Sequence, residues 1–422
     1  MVLILVDSIT PRVSYTFDFI FKTRGVAYEL TTDLHSFDQY NESRLNYSAN
    51  YKNEAILQIE PSSLLFEKGV LNHSIEKSNY HDEECLMIDS VSDPIATVFF
   101  LLSRYEEYSK DCKDKYGRYP FSESILCKFN WIEKAIADRC AIAILKNLGE
   151  YKAVETVSII PTFDIDNVYA YKLKKGRRAI LGIGKDLFNF NFSRIIERIK
   201  VMNGGRDPFD TYEIIKKVGE DFPLTKVFWL VGLLGEKDRN VSIGNLEHQR
   251  LIKEISHYAS VNLHPSYGSF NDGSKILKEK NSLEEVLGKK VDASRQHFLR
   301  FQVSQTYSFL EEMGFKNEYS MGFAERAGFR SGTARSFLWY DLINEQVSTL
   351  ILHPFVYMDG TLHEYMKLTI EQSKLLVKRL FDEVSSTGGD FVFIWHNETI
   401  GNYGKWQGWE EVFNFTLELK DE

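Results

Sequence analysis

Residues 157–167 read Val-Ser-Ile-Ile-Pro-Thr-Phe-Asp-Ile-Asp-Asn. A short apolar run of this kind fits a buried strand, and two carboxylates, Asp164 and Asp166, stand at its end. On extended backbone, side chains two apart project to the same side. Asp164 and Asp166 therefore share a face while Ile165 points into the wall. The bland reading is a pair of turn caps. Two carboxylates directly after a buried run favour chemistry instead.

Working outward, apolar runs recur at 226–231, 258–263, 349–352 and 391–395, with helical stretches between them. The last helix opens with a Thr369-x-x-Gln372 capping box and stops at Gly388-Gly389. Alternating strands and helices predict an α/β fold with a parallel sheet, closed as a deformed (β/α) barrel or left open. In such folds the working groups gather beyond the C-terminal strand ends. Beside the two aspartates, those positions hold His264, Arg295, His297, Arg330 and, after Trp395, His396. His353 also ends a strand and is a rival proton donor. Asp359, in Tyr357-Met358-Asp359-Gly360, reads as a turn.

These residue types suit one chemistry. A divalent ion takes Asp and His ligands and keeps a position open for water. A second carboxylate can accept a proton from that water, and a histidine can protonate a leaving amine. Each residue has a plainer role as well. His264 could be a core histidine, His297 a structural one, and Arg295 or Arg330 a partner in a structural ion pair.

The first 150 residues read as a separate α/β domain. Strands are expected at 2–6, 26–31 and 55–59, and helices at 14–23, 96–108 and 131–148. Asp93-Pro94 supplies a cap and a first-turn proline. The expected domains are 1–150 and 151–422, since 422 residues exceed what one core usually organises. The charge of -9 speaks against general nucleic-acid binding. No stretch is apolar and long enough to span a bilayer, and the start lacks the basic leader of a signal peptide. A cytoplasmic location is the expectation. Cys85, Cys112, Cys127 and Cys140 form no Cys-x-x-Cys pair and read as isolated thiols. Gly182-Ile183-Gly184-Lys185 lacks the spacing of a phosphate-binding loop. The basic run 172–178 is a solvated face, or an entry path for an anionic substrate such as a lipid-linked or nucleotide-linked sugar.

The downstream segments together resemble the polysaccharide deacetylase superfamily, the NodB-like carbohydrate esterases, over residues 155–415. Thr162-Phe163-Asp164-Ile165-Asp166 is similar to that family's Thr-Phe-Asp-Asp motif, and Asn262-Leu263-His264-Pro265-Ser266 to its metal-histidine motif. Arg295-Gln296-His297 stands in place of its Arg-x-Pro motif, and Trp395-His396 ends its last strand. The segments 101–108 and 115–119 resemble an uncharacterised domain that precedes such barrels in bacterial proteins. The resemblance implies hydrolysis of an N-acetyl or related acyl group from a carbohydrate. It implies Asp164 as base, oriented by Arg295, with Asp166 and His264 as ligands of a divalent metal, zinc by default. It also implies His396 as acid, and Arg330 and Trp395 as substrate contacts. Two features depart from the pattern. Ile165 separates the aspartates, and Gly268 stands where the second motif histidine belongs, so His297 is the candidate third ligand. An inactive carbohydrate-binding barrel and a metal-independent hydrolase of a small amide are the rival readings.

Overall fold

The computed structural model describes residues 1–422 apart from 54, 111, 154–156, 175–176, 233 and 422, with backbone alone at 177–181 and 185. The sequence places a boundary at 149–154 and a strand from Thr156; Val154 and Thr156, with Lys175 and Gly176 of the basic run, lie outside the described residues. The chain divides into two compact units. One comprises Met1–Ser158, Phe301–Val356 and Lys378–Phe391; the other comprises Ile159–Arg300, Tyr357–Val377 and Val392–Glu422. The expected cut near residue 150 lies close to the first boundary. The expected 151–422 domain does not stay whole, because two of its stretches belong to the first unit.

The first unit carries a four-stranded parallel sheet in the order Tyr28–Thr31, Val2–Val6, Arg44–Tyr47, Leu57–Gln58. An antiparallel sheet of Ile75–Tyr80, Glu83–Ile88 and Val91–Ser92, which periodicity did not indicate, comes next in the chain. Asp93 caps the helix Pro94–Leu102 through the N–H groups of Ile95 and Ala96. The single helix expected over 96–108 breaks at Arg104, whose φ is 54°. That turn serves a buried ionic lattice. Arg104 pairs with Glu106 and Glu107 at 2.7 and 2.8 Å, and Arg330 meets Glu107 at 2.7 Å. The returning stretches are tied in the same way. Arg12 pairs with Glu345, and Arg139 with Glu383, both at 2.5 Å.

The second unit is α/β around a parallel sheet. Its strands are β1 (Ser158–Ile165), β2 (Lys226–Leu230), β3 (Ser260–His264), β4 (Ala293–Ser294), β5 (Tyr357–Met358) and β6 (Asp390–His396). They lie in the order β4-β3-β2-β1-β6-β5. Parallel ladders join β4 to β3, β3 to β2, β2 to β1, and β5 to β6. Among the described residues no ladder closes this sheet into a barrel. Register aligns the strand ends. Ile165, Trp229, Leu263 and Ser294 form one row across β1 to β4, all fully buried. One step further along the chain come Asp166, Leu230, His264 and Arg295. The capping box forms as read: Thr369 N–H donates to Gln372 Oε1 at 2.9 Å, and Gln372 N–H to Thr369 Oγ1 at 3.2 Å.

Candidate active site

The alternation along β1 places Asp164 on one side and Phe163 and Ile165 on the other. Asp164 is almost wholly buried, yet it is paired: Arg295 Nη1 donates to its Oδ1 at 2.8 Å. Arg295 is itself buried, with its guanidinium 4.3 Å from the Phe228 ring centroid. A buried carboxylate needs such a partner to stay charged. Its second oxygen lies 3.8 Å from His264 Nε2.

Asp166, just past the strand, sits between two imidazoles. His264 Nε2 is 3.2 Å from Oδ1, and His297 Nε2 is 3.3 Å from Oδ2. One donor atom from each of Asp166, His264 and His297 lies within 4.8 Å of the others. The far side of each ring decides how these atoms present themselves. His264 Nδ1 meets the Arg295 carbonyl at 2.6 Å, and His297 Nδ1 meets Asp238 Oδ1 at 2.9 Å. Both partners are acceptors, so each Nδ1 donates outward and each Nε2 is turned towards Asp166. This donor set, with the outer nitrogens fixed, fits a borderline divalent ion such as zinc.

Burial lowers the affinity of His297 for a proton, but Asp166 and Asp238 outweigh it and lift the imidazole to about 9. Burial likewise opposes ionisation of Asp166, yet His297, His264 and His396 hold it well below the usual carboxylate range.

Asp238 is a residue that the sequence pattern missed. It accepts the backbone N–H groups of Tyr267 and Gly268 at 2.8 and 3.0 Å as well as His297 Nδ1. The position lacking the motif histidine thus supplies, through Gly268 N–H, part of the seat for the carboxylate that orients His297. Asp359 was also missed, being read as a turn. It is fully buried and accepts from His396 Nδ1 at 2.9 and 3.0 Å and from His396 N–H at 2.9 Å. The rule applied to the other strands, a polar residue just past an apolar run, would have found it after 355–358. His396 Nε2 lies 3.9 Å from Asp166. Burial works against the imidazolium of His396, and Asp359, Asp166 and Asp164 reverse this and hold it well above its ordinary value. Beside it, burial and the charge of Asp166 push the Glu398 carboxyl up to about 7.

The expected substrate contacts Trp395 and Arg330 have partners of their own. Trp395 is fully buried, packed on Phe413 with ring centroids 5.2 Å apart, and its Nε1 donates to Tyr357 Oη at 3.4 Å. Strand alternation sends it to the opposite face from His396. Arg330 belongs to the first unit, where Glu107 and the Gly322 carbonyl take its donors. His353, the rival acid, is also in the first unit, stacked on Tyr319 at 4.3 Å.

Among known families, one described as of unknown function (DUF7033) matches residues 2–152. No curated protein matches the chain. Solved structures similar to it include a Mycobacterium smegmatis protein described as a polysaccharide deacetylase. It has a TM-score of 0.40 and 14% identity, covering 64% of this chain and 86% of that one. A polysaccharide deacetylase from Bacillus cereus gives 0.31 and 10%, over 63% and 89%. The Puue allantoinase gives 0.37 and 9%, over 63% of this chain and 84% of its own.

Proposed function

We propose that the second unit hydrolyses an N-acetyl or related acyl group on a carbohydrate, with a divalent metal held by Asp166, His264 and His297. One observation carries this reading. A three-donor cluster, a carboxylate held by arginine and a histidine held by aspartate meet at the C-terminal end of one sheet. The carbohydrate follows from the motif resemblance at 162–166, 262–266 and 395–396. When bound, the ion supplies a Lewis acid that makes water nucleophilic near neutrality and polarises the acyl carbonyl.

The chain's own groups account for the proton movements. Asp164 accepts the proton of the attacking water, with Arg295 holding one oxygen so that the other faces the site. His396 carries a proton on Nε2 and delivers it to the leaving nitrogen, while Asp359 fixes the ring through Nδ1. Asp164 and His396 thus divide base and acid between two groups whose partners favour opposite charges. Release of acetate from an N-acetylglucosamine oligomer, with and without chelator, tests the reading. Activity that survives complete metal removal would overturn it in favour of a metal-independent amide hydrolase.

Asp359→Asn should lower kcat about ten- to a hundredfold, the usual cost of losing an orienting partner. It should also move the alkaline limb of the rate profile to lower pH. His396 must be protonated to act, its proton affinity is raised by Asp359, and removing that charge lowers the pH at which the acid is lost. A profile whose alkaline limb does not move would separate Asp359 from the acid.

Metal affinity should rise with pH between 6 and 8, by up to about tenfold per unit. Against burial, Asp166 and Asp238 raise the proton affinity of His297, to about 9, and a ligand must give that proton up. Calorimetric titration with zinc in buffers of different ionisation enthalpy should therefore register proton release. A pH-independent affinity would remove His297 from the ligand set.

A further inference from the structure

The excursion between β1 and β2 contains a helical hairpin, α1 (Arg177–Phe188) and α2 (Phe192–Met202). It leaves the sheet directly after Asp166, at the C-terminal end of β1. Asp207 ties the base, accepting the N–H groups of Ala170, Tyr171 and Lys172 at 2.8, 2.7 and 2.8 Å.

The two helices face each other through polar groups. Arg198 of α2 is buried, pairs with Asp186 of α1 at 2.9 Å and lies 4.7 Å from the centroid of the Tyr171 ring. Gly182 makes room for it, since a Cβ there would stand 2.6 Å from Arg198 Nη2. Beside this ion pair, a row of large apolar side chains lies outside. Phe188 and Phe190 at the tip are 84% and 79% exposed. Phe192, Ile196, Ile199 and Met202 continue at helical spacing along α2, exposed by 59, 56, 48 and 65%. A contiguous apolar stripe of this kind on a water-soluble surface marks a contact site.

The charge around the stripe selects the partner. The whole chain has 51 basic and 60 acidic residues, yet between Tyr171 and Arg206 the sequence holds ten lysines and arginines against two acids. Lys200 is exposed on the same helix, next to Ile199 of the stripe. A symmetric contact between two copies would set this positive segment against itself. An anionic lipid surface satisfies both halves of the pattern, with headgroups meeting the cations and the phenylalanines entering the acyl boundary. The helix length agrees: 11 residues span about 16 Å, far short of a bilayer core and suited to lying in its interface. Among the described residues no helix is long and apolar enough to cross a membrane.

We infer that the α1–α2 hairpin docks this protein on an anionic bilayer, Phe188, Phe190 and Phe192 entering the interface and Lys200 facing the headgroups. The contact stands independently of the hydrolase reading. Co-sedimentation of the full chain with vesicles of phosphatidylcholine containing about a third phosphatidylglycerol tests it. The protein should bind these vesicles, bind less at high salt, and pass by pure phosphatidylcholine. The triple substitution Phe188→Ser, Phe190→Ser, Phe192→Ser should weaken binding about a hundredfold or more, and Lys200→Glu about fivefold. The triple variant should keep its hydrolysis of a soluble oligomer, while Asp164→Asn should keep vesicle binding, so the two readings can fail separately. No binding by the parent chain, or equal binding by the triple variant, overturns the inference. So does a two-chain mass in light scattering that falls to one chain in the triple variant, which assigns the stripe to self-association.

Discussion

Asp164→Asn should retain its metal and lose a factor on the order of 10²–10⁴ in turnover, the usual worth of a positioned general base. The substitution keeps the shape of the side chain, and an amide oxygen can still accept the Arg295 hydrogen bond now made at 2.8 Å. What it cannot do is take a proton. The metal cluster does not include Asp164: its free oxygen stands 3.8 Å from His264 Nε2, whereas Asp166 stands at 3.2 Å. Elemental analysis of the purified variant beside initial rates on an N-acetylglucosamine oligomer separates the two effects. A variant that loses the metal would assign Asp164 to the ligand set and reverse the division of labour between the aspartates.

Asp166→Ala should lose both metal and turnover. Asp166 is the one carboxylate of the cluster and lies between the two imidazole nitrogens, so its removal leaves a cation site with two neutral ligands and no compensating charge. Outer partners alone cost about ten- to a hundredfold in affinity. Loss of the central carboxylate should exceed about a hundredfold and leave the purified protein essentially metal-free. Activity restored by millimolar zinc would still fit a weakened site. Stoichiometric metal retained through purification would exclude Asp166 as a ligand.

How much of this was legible depends on which signal each residue carries. Asp164, Asp166, His264, Arg295, His297 and His396 all come after apolar runs, and parallel register brings the ends of such runs together. That is why widely separated segments could be read as one site. Trp395 was misread because its neighbour His396 is functional, yet strand alternation sends adjacent side chains to opposite faces. Asp359 follows a strand of only two residues, and the turn-like Met358-Asp359-Gly360 outweighs the short apolar run 355–358 before it. Asp238 lies in an irregular stretch, and its role rests on backbone N–H groups some thirty residues away, which no local pattern encodes. The stretches 301–356 and 378–391 read as part of the second domain because their strands and helices carry the same alternation as its own. Only ion pairs such as Arg12–Glu345 and Arg139–Glu383 reveal where they belong.

That interleaving bears on how the chain could be inherited or divided. A gene cut at codon 150 would not release a self-sufficient module, although the matching family model stops at residue 152. The shortened product would keep Arg12, 1% exposed, without the Glu345 carboxylate that meets it, and Arg139 without Glu383. Orphaning one member of a buried pair costs on the order of 3–5 kcal/mol, a large share of the stability of an ordinary domain. Recombination therefore cannot exchange the first unit as a cassette.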